Sequence, residues 1–307
     1  MKHYLAIARP SHWFKNIFVV PGFVLGLLVL GYIPHDIVLK SILAIISVCL
    51  ITSANYTINE WLDAEFDRHH PLKSNRPSVL GHIQYKFVVL QYIVLATVGL
   101  LAAYHISMSY LTISAILLYM GFLYNVLPFR TKDRAYLDVL SESVNNPLRL
   151  LLGWFVIIPY MFPPSSLIIA YWMGGAFLMA VKRYAELRLI SNKATAELYR
   201  KSFKYYTENN LLVSILFYAM VFSFFFGVFM IKYRIEFLVS FPFFAILFAW
   251  YLHIGMGKDS VAQRPEKLFK ETAFMVFFLF LIMGIVVLYF VDIPSLHLFL
   301  NPVVTHQ

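Results

Sequence analysis

The chain has 307 residues, 60% of them hydrophobic and only 13% charged, with a mean hydropathy of +0.71 and a formal net charge of +9. A soluble domain of this length carries about twice that charged fraction, so the composition excludes a water-soluble enzyme and points to a polytopic membrane protein. A basic balance of this size suits nucleic acid or acidic lipid in general, but the placement of the basic residues decides against nucleic acid.

Apolar runs long enough to cross hydrocarbon lie at roughly 17–34, 36–58, 84–104, 107–127, 136–158, 166–188, 209–231, 236–254 and 272–292. The expected fold is an all-α membrane protein of nine transmembrane helices, forming a single domain over residues 1–307. The leading stretch MKHYLAIARPSHWFKN has no cleavable signal pattern, so the first helix is expected to be retained. Cys49, the one cysteine, lies inside an apolar run, which excludes an intrachain disulfide and a thiol metal site.

Basic residues fall on alternate connections. Lys2, Arg9 and Lys15 precede the first run, Arg68, Lys73, Arg76 and Lys86 follow the second, and Arg130, Lys132 and Arg134 follow the fourth. Lys182, Arg183, Arg188, Lys193, Arg200, Lys201 and Lys204 follow the sixth, and Lys258, Arg264, Lys267 and Lys270 follow the eighth. The other side holds only Lys40, Lys232 and Arg234. The positive-inside rule then puts the N-terminus and the charged loops in the cytoplasm and the C-terminus outside, in a bacterial-type inner (plasma) membrane.

Three polar clusters interrupt the apolar pattern on the basic side. The first runs from Asn55 to Pro77, where Asn59, Asp63 and Asp67 recur every four residues and so share one helical face. Acids beside hydrocarbon persist where they bind a cation, line water or do chemistry. Oxygen ligands of this kind suit Mg²⁺ carrying a diphosphate, with Lys73 and Arg76 gripping phosphate oxygens. The plain alternative is a solvated helix end with topological charges.

The second cluster, KDRAYLDVLSESVNNPLR, contains Lys132 and sets Asp138, Glu142, Asn145 or Asn146, and Arg149 along one helical stripe. Such a stripe faces a cavity or an interhelical hydrogen-bond seam, and Pro147 is expected to kink the helix. The third is Lys182-Arg183-Tyr184-Ala185-Glu186, either a phosphate site or a simple Lys182–Glu186 surface pair. Together the first two clusters hint at a pseudo-repeat, each half giving one acid group to a central cavity. Trp13, Lys15 and Asn16 fit an interfacial belt as well as a site, His69 and His70 adjoin Asp67, and Arg264 or Lys267 lie in a loop able to close over the cavity. No Gly-rich phosphate loop, HExxH or GxSxG string is present.

NEWLDAEFD resembles the first Asp-rich motif of the UbiA superfamily of intramembrane prenyltransferases. RPSHWFKN, HPLKSNRP, Lys132 with Asp138, KRYAEL and RPEKL extend the resemblance over nearly the whole chain, toward the branch that contains decaprenyl-phosphate 5-phosphoribosyltransferase. The resemblance implies a UbiA-like bundle around a central cavity open to lipid, with 5-phosphoribosyl diphosphate as donor and a polyprenyl phosphate as acceptor. It implies that Asn59, Asp63 and Asp67 hold Mg²⁺ and diphosphate, that Lys73, Arg76, Lys182 and Arg183 bind phosphates, and that Asp138 completes the acid side. The string SESVNNPLR at 141–149 departs from the family pattern. Glu142, Asn145, Arg149, Tyr184, Glu186 and Lys15 complete the expected substrate-binding set. Two alternatives stand beside this reading: prenyl transfer from an allylic diphosphate to an aromatic or other acceptor, and a non-catalytic transporter or lipid-binding protein. Partners are the bilayer and, compatibly, a second copy in a homo-oligomer.

Overall fold

The computed structural model describes residues 2–69, 73–190, 192–257, 260–263 and 265–296; His70 and Arg264 lie outside them. Among the described residues the fold is entirely helical. The first span, α1 (Lys2–Leu30), consists of two α-helical pieces joined by a 3-10 stretch over Pro10–Val19. Pro10 and Pro21 each open a new piece, where a missing N–H costs no intrahelical bond. There follow α2 (Ile37–Leu62), α3 (Tyr85–Tyr104), α4 (Met108–Asn125), α5 (Leu137–Ser143), α6 (Asn145–Ile157), α7 (Ser165–Leu189), α8 (Glu208–Tyr233), α9 (Ile235–Met256) and α10 (Thr272–Phe290).

Eight of these, α1 to α4 and α7 to α10, are long and apolar enough to cross a membrane. The predicted fifth run is instead two consecutive helices, α5 and α6, which meet at Val144. Pro147 has no N–H to bond the Ser143 carbonyl, so the helical ladder is interrupted there. The break falls three residues before the proline, which leaves Pro147 in the first turn of α6, where proline is tolerated.

Every residue of α6 from Pro147 to Ile157 is buried. A helix that is apolar all round belongs at the centre of a bundle, and α6 packs against α1, α2, α4 and α7. One hydrophobic core joins α6 to α2 and α4 through Val48, Ile51, Tyr110, Leu117, Leu152 and Phe155. A second joins α7, α8 and α9 through Ala176, Phe177, Ala180, Leu211, Ile215 and Tyr251. Between α1 and α6 the backbones touch: a Cβ on Gly153 would sit 2.0 Å from the Val19 carbonyl oxygen, and one on Gly22 1.9 Å from that of Leu150. Small residues at such crossings are how membrane helices approach closely.

The outer surface is as apolar as a core. On α8, Val213, Leu216, Phe217, Met220 and Phe224 follow helical spacing yet all are exposed. In water that stripe would be buried; here it faces lipid.

Candidate active site

The α2 helix stops at Leu62, and Asp63 caps it by donating its backbone N–H to the Asn59 carbonyl before one further turn over Ala64–Asp67. Asn59 Nδ2 donates to Asp63 Oδ2 at 3.2 Å and to Asn125 Oδ1 at the end of α4. Across from them, Arg130 donates through Nη2 to Asp63 Oδ1 at 3.0 Å and through Nε to the Asp133 carboxylate at 3.2 Å. Lys132 donates to the same Asp63 oxygen and to Asn125 Oδ1 at 2.7 Å. Burial pushes the Asp63 carboxyl up, but Lys132 and Arg130 overcome it and hold the group down at about 2. Burial drives the Lys132 amine down to about 8 against the pull of Asp63.

Asp63, Arg130, Lys132 and Asp133 line a narrow cleft with Phe66, Asp67, Tyr199 and Arg200. Asp67 accepts from Arg76, and burial, outweighing Arg76 and Lys73, raises its carboxyl above the ordinary value. Arg76 also lies 3.7 Å from Glu60, which accepts from Arg9 and, at 3.3 Å, from the Ser78 hydroxyl. Lys73 donates to the Tyr199 hydroxyl, with its nitrogen 4.6 Å from that ring's centroid. Burial lowers the Lys73 amine to about 8, opposed by Glu186 and Asp67.

Asp138, expected to complete the acid side, does not line the cleft but stands behind it, 3.8 Å from Arg200. It is fully buried and accepts from Arg183 Nε at 2.8 Å, from the Tyr206 hydroxyl at 2.7 Å and from Ser202 at 3.3 Å. Arg183 is equally engaged, donating to Glu186 at 2.8 Å and to the Tyr124 hydroxyl at 3.3 Å. Asp138, Arg183 and Glu186 thus form a buried ion knot that fastens the 200–206 segment and α5 to α7. Tyr184 turns away from it and donates to Glu208 at 3.3 Å.

The remaining expected residues gather around Tyr56. Arg9 and Lys15 lie 5.7 and 5.9 Å from its ring centroid, and the His12 ring lies 5.3 Å away. Arg149, Glu142 and Lys182 are electrostatic neighbours of its hydroxyl. Arg149 donates to Asn16 Oδ1 at 3.1 Å and to the Asn145 carbonyl at 3.4 Å. The predicted polar stripe is therefore split: Asp138 joins the knot, Arg149 joins the N-terminal segment through Asn16, and Asn145 bonds only within its own stretch, to the Glu142 carbonyl. Trp13 donates to Ser53 at 2.8 Å, His69 is exposed, and Lys267 is half-buried.

Sequence reasoning missed Asn125, Arg130, Asp133, Tyr199 and Arg200. Arg130 and Arg200 read as topological charges, and Asn125 fell inside the 107–127 apolar run. Asp133 carried a signal, since it adjoins Lys132 in KDR.

No group of three or more His, Cys, Asp or Glu among the described residues is arranged to cage a metal. Mg²⁺ needs no cage: it is held by one or two carboxylates, waters and substrate phosphates. Asp63 and Asp67, hard oxygen donors on one cleft, fit a cation of that kind, and Asn59 orients Asp63 through its amide nitrogen.

Residues 18–271 match the UbiA prenyltransferase family. The chain is 30% identical over 210 residues to a decaprenyl-phosphate phosphoribosyltransferase of Mycolicibacterium smegmatis, covering 66% of this chain and 62% of that protein. It is 30% identical over 211 residues to the protein of the same name from Mycobacterium tuberculosis H37Rv, covering 66% and 65%. The chain thus spans less than two thirds of the length of these curated relatives. A UbiA homolog from Archaeoglobus fulgidus bound to GPP and Mg²⁺ shares the fold with a TM-score of 0.70 at 20% identity, covering 94% of this chain and 99% of that one.

Proposed function

The chain belongs to the UbiA prenyltransferase family, and from that membership we propose that it transfers 5-phosphoribose from 5-phosphoribosyl diphosphate to a polyprenyl phosphate at the cytoplasmic membrane face. The relatives named above support the choice of reaction within the family. The observation that carries it is the cleft in which Asp63, Asp67 and Asp133 meet Arg130, Lys132 and Arg200. Paired acids and bases of this kind serve a metal-bound diphosphate, which a phosphoribosyl and a prenyl donor both carry, and the relatives favour the first. In this reading α5 and α6 cross the bilayer together as a broken ninth span of one membrane domain, with the N-terminus inside and the C-terminus outside.

Asp63 and Asp67 would hold Mg²⁺, which would supply Lewis-acid charge for a departing diphosphate. Arg130, Lys132, Arg200 and Lys73 place fixed positive charge around the same leaving group, and this preorganised field is the largest contribution the chain makes to the barrier. Asn59 and Asn125 hold Asp63 and Lys132 in register. An oxygen of the acceptor phosphate bonds to ribose C1 as the C1–O bond to diphosphate breaks. Because that oxygen is already anionic, no strong general base is required.

The test is incubation of the purified protein in nanodiscs with Mg²⁺, radiolabelled 5-phosphoribosyl diphosphate and a polyprenyl phosphate. Label entering the organic phase, and failing to do so with EDTA, is the expected result. No transfer, with an allylic diphosphate consumed instead, replaces the reading with prenyl transfer.

A further inference from the structure

One acid at the end of α2 stays out of the cleft. Glu60 is 2% exposed and does not line the opening at Asp63, yet it stands two helical turns before Asp67 and so on the same side of the chain. Arg76 spans the two: its Nη1 donates to Asp67 Oδ2 and lies 3.7 Å from Glu60 Oε2. Glu60 also accepts from Arg9 Nε at 3.0 Å, and the Ser78 hydroxyl donates to its other oxygen at 3.3 Å. Two guanidiniums and two carboxylates therefore alternate, Arg9 to Glu60 to Arg76 to Asp67, from the first span to the cleft. Lys73, which also acts on Asp67, donates to Tyr199.

The backbone is strained to build this chain. Arg9, which caps the 3-10 stretch of α1, has a φ of 49°, in the left-handed region that a Cβ disfavours. Arg130, with a φ of 26°, is the other arginine at positive φ among the described residues, and it holds Asp63. Two acids at the end of α2 are thus each gripped by an arginine in a costly conformation, and such conformations persist where the surroundings over-determine them. Asp67 is held differently, by an arginine that it shares with Glu60.

That sharing matters to a metal. A buried carboxylate with a single guanidinium partner leaves it at high cost, because the cation then stands alone. Glu60 lowers that cost: when Asp67 turns to another cation, Arg76 keeps a buried carboxylate beside it. We propose that Glu60 is a positioning residue for the metal side of the cleft, holding Arg76 so that Asp67 is free to take Mg²⁺ with a diphosphate. This rests on the reading of the cleft as a Mg²⁺-diphosphate site and is independent of whether phosphoribose or a prenyl chain is transferred. Without the Glu60 charge, Arg76 has Asp67 alone as its carboxylate among the described residues, and more Mg²⁺ is needed to draw that acid away. The diphosphate oxygens, which attract Arg76 themselves, lose nothing by the change.

The test uses the full chain in phosphatidylcholine nanodiscs with inorganic pyrophosphate, the group common to both donor classes, and follows its binding by calorimetry as Mg²⁺ is titrated. In Glu60→Gln the Mg²⁺ concentration for half-maximal binding is expected to rise by about fivefold or more, the scale of coupling between neighbouring charges, while pyrophosphate affinity at saturating Mg²⁺ stays within about twofold of wild type. A purely structural loss weakens both together. In an Arg76→Gln background the Glu60 substitution is expected to add less than about twofold, since its effect runs through Arg76. Thermal unfolding checks that each variant is folded. If Glu60→Gln unfolds, the Arg9→Gln/Glu60→Gln double variant is read in its place, because it removes both charges of the buried pair together. An unchanged Mg²⁺ requirement in the folded variant, the full rise in the Arg76→Gln background, or unfolding of both variants overturns the positioning role. Absence of Mg²⁺-dependent pyrophosphate binding in the wild type removes the reading of the cleft and this inference with it. Binding with the expected variant pattern but no phosphoribosyl transfer leaves the role standing and removes the reaction alone.

Discussion

Lys132 reaches across 69 residues of sequence to donate to Asp63, at a point where their side chains retain only 4% and 18% exposure. Arg130 donates to the same carboxylate oxygen. One anion thus holds two cations on the wall of the cleft, and whatever draws those cations away frees the acid.

Asp63→Asn removes that anion while keeping shape and hydrogen-bonding capacity. Turnover is expected to fall by about 1,000-fold or more, the scale of losing a preorganised charge interaction. The size-exclusion profile should stay that of a folded protein, while the unfolding temperature falls, because Lys132 and Arg130 are left beside a neutral amide. Near-wild-type transfer in both Asp63→Asn and Asp67→Asn overturns the site.

Lys73 and Lys132 are each lowered by burial from the ordinary 10.5 to about 8. They carry charge below that pH and lose it above, so kcat/KM for the diphosphate donor should decline with an alkaline limb near pH 8. Unfolding does not explain such a limb. The unfolded chain binds more protons between about 8 and 10.5, so these two groups make the fold more stable as pH rises through that window. Arginine stays charged throughout, and the Lys73→Arg/Lys132→Arg double variant is expected to lose the limb. A limb unchanged in that variant assigns it to other groups.

Much of this arrangement was legible in the sequence because membrane spans and positive-inside loops leave strong signals. Eight spans and the Asp63/Asp67 cleft follow the apolar runs and the four-residue spacing. The split of the 136–158 run was not legible in full: Pro147 predicts a kink, but not that the chain leaves the helix at Val144 or that Asn146 packs against Gly175 of α7. Asp138 and Arg183 have the same composition as cleft residues. Only three-dimensional pairing shows that they neutralise each other in the interior, and only the fold of the 199–200 segment brings Tyr199 and Arg200 over Asp67.

Asp138 should therefore behave as a structural residue. Asp138→Asn leaves the Arg183 guanidinium with Glu186 as its one remaining carboxylate and takes the nearby acid from Arg200, 3.8 Å away; the cost stays below the about 3 to 5 kcal/mol of a buried charge left with no partner. A fall in unfolding temperature is expected. An unfolding temperature equal to wild type with turnover abolished places Asp138 in the chemistry instead.

Gly153→Ala tests the α1/α6 crossing. Its new Cβ meets a backbone oxygen that no side-chain rotation relieves, so α1 has to shift away from α6. The cost is about 1 to 3 kcal/mol, read as a lower unfolding temperature. An unfolding temperature equal to wild type means that the two helices part at that crossing without strain.

Metal binding should depend on the donor. Asp63 faces Lys132 and Arg130, and Asp67 faces Arg76, so Mg²⁺ alone has to approach two carboxylates already compensated by cations. A diphosphate changes the balance: its oxygens attract Arg130, Lys132 and Arg76, release the carboxylates, and supply further ligands to the ion. Mg²⁺ added without donor is expected to leave the unfolding temperature unchanged, and donor with Mg²⁺ to raise it, since a ligand that binds only the folded state stabilises it. EDTA should abolish the second shift and leave the first condition untouched. A large shift with Mg²⁺ alone means that the acids form a metal site independent of substrate, and the cation pairs around Asp63 and Asp67 then do not govern it.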